Sequence, residues 1–200
     1  SSRLASEIIE VGCQRLERMN IRSNIPNQIT LARIASVPLF MYLVLSETTI
    51  GTILAIVIFS LAAISDAVDG YLARSLNQTT IFGAFADPIA DKLLVAGALI
   101  AFVQLGELAA GPVMVIIARE FLVTGLRIMA IAEGKVIAAS PLGKLKTISH
   151  IGLILAVLAT RTFQLGNSGA MTKDGFLYLA IALALISGGE YFYRSRHLFS

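Results

Sequence analysis

An all-α integral membrane protein is predicted, with six transmembrane helices preceded by an amphipathic helix lying in the membrane interface. Three observations predict it. Of 200 residues, 56% are hydrophobic and 14% charged, whereas a soluble chain carries about a quarter charged. The mean hydropathy is +0.78. The apolar residues also fall into six long runs, at 29–46, 50–75, 83–105, 112–134, 143–162 and 173–194, each near the roughly 20 residues that cross a hydrocarbon core.

The elements follow in chain order. Residues 1–23 form a juxtamembrane segment in which Ser1 and Ser2 read as a cloning remnant. Over 2–19, Leu4, Ile8, Val11, Gly12, Leu16 and Met19 share one side of a helix, and Glu7, Glu10, Gln14 and Arg18 the other, as in an interfacial helix or an ordinary packed one. Asn24-Ile25-Pro26-Asn27 breaks this pattern and opens a single domain, 24–200, built from the six spans. No signal peptide is expected, because the first apolar run is long and lacks a small-residue cleavage site. The single Cys13 allows no internal disulfide and has no metal-site context.

Charge orients the bundle. Arg3, Arg15, Arg18 and Arg22 precede span one, Arg74 ends span two, Lys135, Lys144 and Lys146 surround the fourth connection, and Arg194 and Arg196 follow span six. The connections near Glu47 and Glu107 carry no Lys or Arg, while the one at 162–173 has Lys173, with Arg161 at its edge. Both termini in the cytoplasm satisfy the positive-inside rule. The net charge of +3 then reflects membrane orientation, and no nucleic-acid partner is expected, since no basic patch is interleaved with stacking aromatics.

Four carboxylates conflict with this apolar setting. Asp66 and Asp69 end span two, and Asp87 and Asp91 begin span three. A carboxylate at the bilayer centre costs roughly 2.5 to 3.5 kcal/mol, so four facing lipid would cost on the order of 10 kcal/mol. They must face a cavity or a cation. At about 100° per residue, Asp66, Asp69, Gly70 and Ala73 share one helix face, and Gly83, Asp87 and Asp91 share another. Such a set of oxygen donors beside small residues suits hard divalent cations that also keep places for substrate phosphates. An isolated Asp87 before Pro88 reads equally as a helix cap.

The complete pattern, D-x2-D-G-x2-A-R-x8-G-x3-D-x3-D from Asp66 to Asp91, places eight defined positions in 26 residues. It resembles the signature of the CDP-alcohol phosphotransferases. That resemblance implies a six-helix membrane enzyme, usually a homodimer, that displaces CMP from a CDP-linked lipid or alcohol. It implies further that Asp66, Asp69, Asp87 and Asp91 hold two Mg²⁺ or Mn²⁺ ions, and that Asp91 is also the general base. Asp69, Gly70, Ala73, Arg74 and Gly83 would hold the nucleotide, with Gly70, Ala73 and Gly83 lining the cytidine pocket and Arg74 on the pyrophosphate.

The acceptor is read from outside the signature. Arg119 and Arg127 lie about 80° apart on span four, and span five opens with Lys144 and Lys146. Cations at membrane depth need anionic partners. Glu120 answers one of them internally, or the cluster receives a phosphate on the acceptor alcohol. Arg33, near the start of span one, reads equally as a phosphate ligand and as a helix anchor. Asn24 to Arg33, Ala86 to Lys92, Ala118 to Arg127 and Leu142 to Thr147 are similar to the branch of the family whose members make phosphatidylglycerophosphate in bacteria. This branch implies phosphatidyl transfer from CDP-diacylglycerol to glycerol 3-phosphate at the cytoplasmic face of the cell membrane. The alternatives are a phosphatidylinositol-phosphate or cardiolipin synthase type and, outside the class, a cation or proton transporter. In the last span, Glu190 supports the site or a partner helix, the tyrosines beside it read as an interfacial belt, and Gly152, Gly188 and Gly189 suit close helix packing.

Overall fold

The computed structural model describes residues 25–76, 81–132 and 141–195. These form six helices and no strand: α1 Ile25–Leu45, α2 Thr49–Leu76, α3 Ile81–Gln104, α4 Ala110–Ala132, α5 Pro141–Phe163 and α6 Gly166–Ser195. Each coincides with one apolar run of the sequence. The helix expected over 2–19, Cys13, Lys135 and Arg196 lie outside the described residues.

The described connections are short, at 46–48 between α1 and α2, 105–109 between α3 and α4 and 164–165 between α5 and α6, lengths that favour antiparallel neighbours. Thr48 caps α2, its Oγ1 accepting from the Gly51 amide at 3.0 Å, which satisfies one of the donors left free in a first helical turn. α3 ends on Gly106, whose φ of 70° allows the Glu107 amide to reach back to the Phe102 carbonyl at 2.9 Å and its own amide to reach Val103 at 3.0 Å. That left-handed closure needs a residue with no Cβ penalty. It also delivers Glu107 to the end of the bundle away from the aspartate segment.

The connection expected at 162–173 is shorter than predicted, with only Gln164 and Leu165 between α5 and α6. Gly169 is the reason. A Cβ there would meet Thr160 Cγ2 at 2.7 Å, so the bare backbone lets the first turns of α6 run against α5. Lys173 consequently sits inside α6, where its Nζ reaches Glu107 Oε2 at 3.0 Å. Arg161 bonds Glu107 Oε1 at 3.1 Å and approaches Glu47 at 3.6 Å. The two cations that seemed exceptions to the charge asymmetry are thus neutralised by the carboxylates of that same end.

The core runs along the bundle axis through Phe40, Phe59, Leu99, Phe102, Leu153 and Ile154, each at most 1% exposed. Phe40 of α1 and Phe59 of α2 pack as tilted rings 5.9 Å apart. α1 packs on α2 and α3, α5 on α6, and α6 also on α4. Outward faces are equally apolar: Tyr42, Ile50, Leu61, Met114, Ile148 and Met171 are each at least 60% exposed. In water such faces would drive association, whereas in lipid they are the ordinary surface. Among the described residues α5 and α6 are long and apolar enough to cross a membrane, and Leu31–Leu45, Thr49–Ser65 and Lys92–Gln104 are shorter apolar stretches.

Candidate functional site

A cavity of about 200 Å³ opens among α3, α4, α5 and α6. α4 presents Arg119, Glu120, Val123, Thr124 and Arg127 to it, the spacing of one helical face, and α5 presents Gly143, Lys144, Lys146 and Thr147. Lys92 of α3 and Tyr191 of α6 complete the lining. Lys92 directly follows Asp91, so the cavity lies at the aspartate end of α3.

Its electrostatics centre on Glu120, which is 7% exposed. Lys146 donates to Glu120 Oε1, Arg119 Nη1 donates to the same oxygen at 3.1 Å, and Lys92 Nζ lies 3.4 Å from Oε2. Arg119 is further held from α6. Its Nη2 donates to Ser187 Oγ at 2.8 Å, and its guanidinium lies 5.9 Å from the centroid of the Tyr191 ring. Gly188 makes room for this, since a Cβ there would meet Arg119 Cγ at 3.2 Å. Ser187 in turn donates to the Leu183 carbonyl one turn back. Arg127 and Lys144 stand exposed at the rim, where neither forms an ion pair with another described residue.

The structure therefore brings four of the five acceptor-phosphate candidates, Arg119, Arg127, Lys144 and Lys146, to one cavity. Arg33 is buried on α1 and does not line it. Glu120 answers three cations, more than the one pairing anticipated from the sequence. Tyr191 is a correction: it is 4% exposed and packs under Arg119 rather than forming an interfacial belt, because Gly188 and Ser187 draw α6 against α4. Tyr193, at 68% exposed, faces outward. Lys92, Thr124 and Thr147 were not singled out in the sequence. The signal available for Lys92 was its place one residue after the signature, on α3.

Asp66, Asp69, Gly70, Ala73 and Arg74 fall within α2, and Gly83, Asp87 and Asp91 within α3. Both helices run unbroken through these positions, so the three- and four-residue spacings are helical spacings. The side chains of these eight residues lie outside what is described.

This six-helix chain, with its basic cavity at the Lys92 end of α3, is matched over residues 23–186 by the model of the CDP-alcohol phosphatidyltransferase family. The chain belongs to this family, which is generally dependent on divalent metals. Among its relatives, the CDP-diacylglycerol–glycerol-3-phosphate 3-phosphatidyltransferase of Bacillus subtilis is 42% identical over 182 residues, covering 84% of this chain and 93% of that protein. The protein of the same name from Rickettsia bellii is 36% identical over 180 residues, covering 87% and 96%. A probable phosphatidylglycerophosphate synthase of Mycobacterium tuberculosis is 38% identical over 178 residues, covering 86% and 82%.

Proposed function

We propose that this protein transfers the phosphatidyl group of CDP-diacylglycerol to sn-glycerol 3-phosphate, giving phosphatidylglycerophosphate and CMP. The observation that carries the acceptor is the cavity. Five cations, Lys92, Arg119, Arg127, Lys144 and Lys146, face it with one carboxylate, Glu120, a surplus of four positive charges. Only a strongly anionic group balances such a surplus at membrane depth. A phosphate monoester fits, whereas serine, choline and ethanolamine lack the dianion. The relatives named for glycerol 3-phosphate support that monoester over inositol phosphate.

All six helices are read as spans, with both termini and the cavity at the cytoplasmic side, as the positive-inside rule favours. The bound lipid substrate then approaches from the membrane while the soluble acceptor enters from the cytosol. A homodimer is the assembly this family resemblance favours.

The donor set fits a divalent metal: Asp66 with Asp69 on α2 and Asp87 with Asp91 on α3 supply carboxylate oxygens at helical spacing, the ligand type that Mg²⁺ or Mn²⁺ takes. These four residues would hold the ions, which when bound neutralise charge on the pyrophosphate and on departing CMP. Arg74 would add a forked cation for the pyrophosphate, and Asp69, Gly70, Ala73 and Gly83 would hold the nucleotide. The acceptor hydroxyl oxygen bonds to the phosphorus that carries diacylglycerol, the bond to CMP breaks, and the hydroxyl proton passes to the Asp91 carboxylate. The cationic cavity holds the acceptor's phosphate, which turns this attack into a step within one complex.

The test is CMP release from CDP-diacylglycerol by purified protein in lipid, with glycerol 3-phosphate, inositol phosphate, serine and phosphatidylglycerol compared as acceptors. Glycerol 3-phosphate is expected to support release, EDTA to abolish it, Mg²⁺ or Mn²⁺ to restore it, and Asp91→Asn to remove it at every metal concentration. Absence of release with any acceptor, together with cation movement into liposomes, would replace the enzyme by a transporter.

A further inference from the structure

The geometry points to Glu120 as the positioning residue of the acceptor cavity, a role that rests on the acceptor reading above: one carboxylate ties together cations from three helices that line the cavity. The first support is topological. α4 and α5 are consecutive in the chain, yet the principal packing of each is elsewhere, α4 on α6 and α3, and α5 on α6, α2 and α3. The cavity occupies the place between them. What crosses it is Glu120 of α4 bonded to Lys146 of α5.

The second support is the distribution of partners. Glu120 takes Lys92 from α3 at 3.4 Å, Arg119 from its own helix at 3.1 Å, and Lys146 from α5. Arg119 spends its two terminal nitrogens on Glu120 and Ser187, so it secures the carboxylate and ties it to α6. Arg127 and Lys144, at the rim, have no ion pair with described residues and are open to an arriving anion. The cavity thus divides into cations held in place by Glu120 and cations left for capture. Without such a tie the like charges of Lys92, Arg119 and Lys146 would push their walls apart, and a phosphate would have to gather them itself, losing affinity to reorganisation.

The third support is the neighbour of Lys92. Lys92 follows Asp91, so the same carboxylate that orders the phosphate pocket is bonded to the residue next to the expected base. Glu120 therefore sets where the acceptor's phosphate lies relative to that segment of α3, without touching the reacting atoms.

The test is a split of kinetic constants in lipid vesicles, each substrate varied with the other at saturation. Glu120→Gln keeps the volume and removes the charge. It is expected to raise KM for glycerol 3-phosphate about 20-fold, with KM for CDP-diacylglycerol changed less than about 2-fold, since positioning of one substrate is lost. Glu120→Asp keeps the charge on a shorter arm and is expected to recover about half of that loss on a logarithmic scale; it also carries the test if the Gln variant does not fold. Unchanged KM for glycerol 3-phosphate in both variants, with only yield or thermal stability reduced, overturns the positioning role. Arg127→Ala and Lys144→Ala separate the two levels. If they raise that KM while the Glu120 variants do not, Glu120 is structural and the cavity reading stands; if neither they nor the Glu120 variants do, the cavity reading falls and this role with it.

Discussion

Lys146→Met gives the sharpest separation between binding and folding. Lys146 is 4% exposed and bonded to Glu120, so its loss removes one cation from the cavity and one partner from a buried carboxylate. Glu120 keeps Arg119 at 3.1 Å and Lys92 at 3.4 Å. The carboxylate is not orphaned, and the stability loss should be that of one charged hydrogen bond, about 1.5 kcal/mol, rather than the 3–5 kcal/mol of a buried charge left alone. Glu120→Gln differs, because it strips Lys92, Arg119 and Lys146 of their shared anion, and it belongs in the larger range. Binding follows another ledger. A charged hydrogen bond to the acceptor's phosphate contributes about 1.5–3 kcal/mol, so Lys146→Met should raise KM for glycerol 3-phosphate about 10- to 150-fold. The assays are CMP release against glycerol 3-phosphate concentration and thermal unfolding in detergent. An unchanged KM would mean that Lys146 does not hold the acceptor, and equal destabilisation by Lys146→Met and Glu120→Gln would mean that Arg119 and Lys92 do not compensate the Glu120 carboxylate.

At the opposite end of the bundle, Glu107→Gln should lower the melting temperature by weakening the contacts to Arg161 and Lys173, while KM for both substrates stays at its wild-type value. A change in KM would mean that this end communicates with the cavity. Gly152→Leu should destabilise by about 1–3 kcal/mol through overpacking, because even a Cβ at this position meets the Phe176 ring at 2.5 Å in the α5–α6 seam. Thermal unfolding checks it, and Phe176→Ala in the same chain should restore part of the loss.

The six helices were legible because each is a long apolar run closed by a polar or glycine-containing turn, and hydropathy depends on composition alone. Boundaries failed where a contact intervened. The polar stretch Gly166-Asn167-Ser168-Gly169 reads as a loop, yet it is helical because Gly169 packs against Thr160. The cationic cluster was half legible: Arg119 and Arg127 announce themselves as charges inside an apolar span. Their partners did not, since Lys92, Ser187 and Tyr191 come from helices far along the chain. Tyr191 shows the limit most plainly. Its type and place near a helix end suit a membrane interface, and only the approach of α6 to α4 puts it beneath a guanidinium.

By itself the sequence determined the membrane class, the six helices and the carboxylate signature, because all three rest on local composition and on spacing within one helix. The tertiary structure alone decided that α4 and α5 leave a cavity between them, that Glu120 gathers cations from three helices across it, and that Arg161 and Lys173 are neutralised at the far end. Helix periodicity states which residues share a face. Which faces meet depends on the packing of the whole bundle, and on where glycines such as Gly169 and Gly188 let backbones draw close.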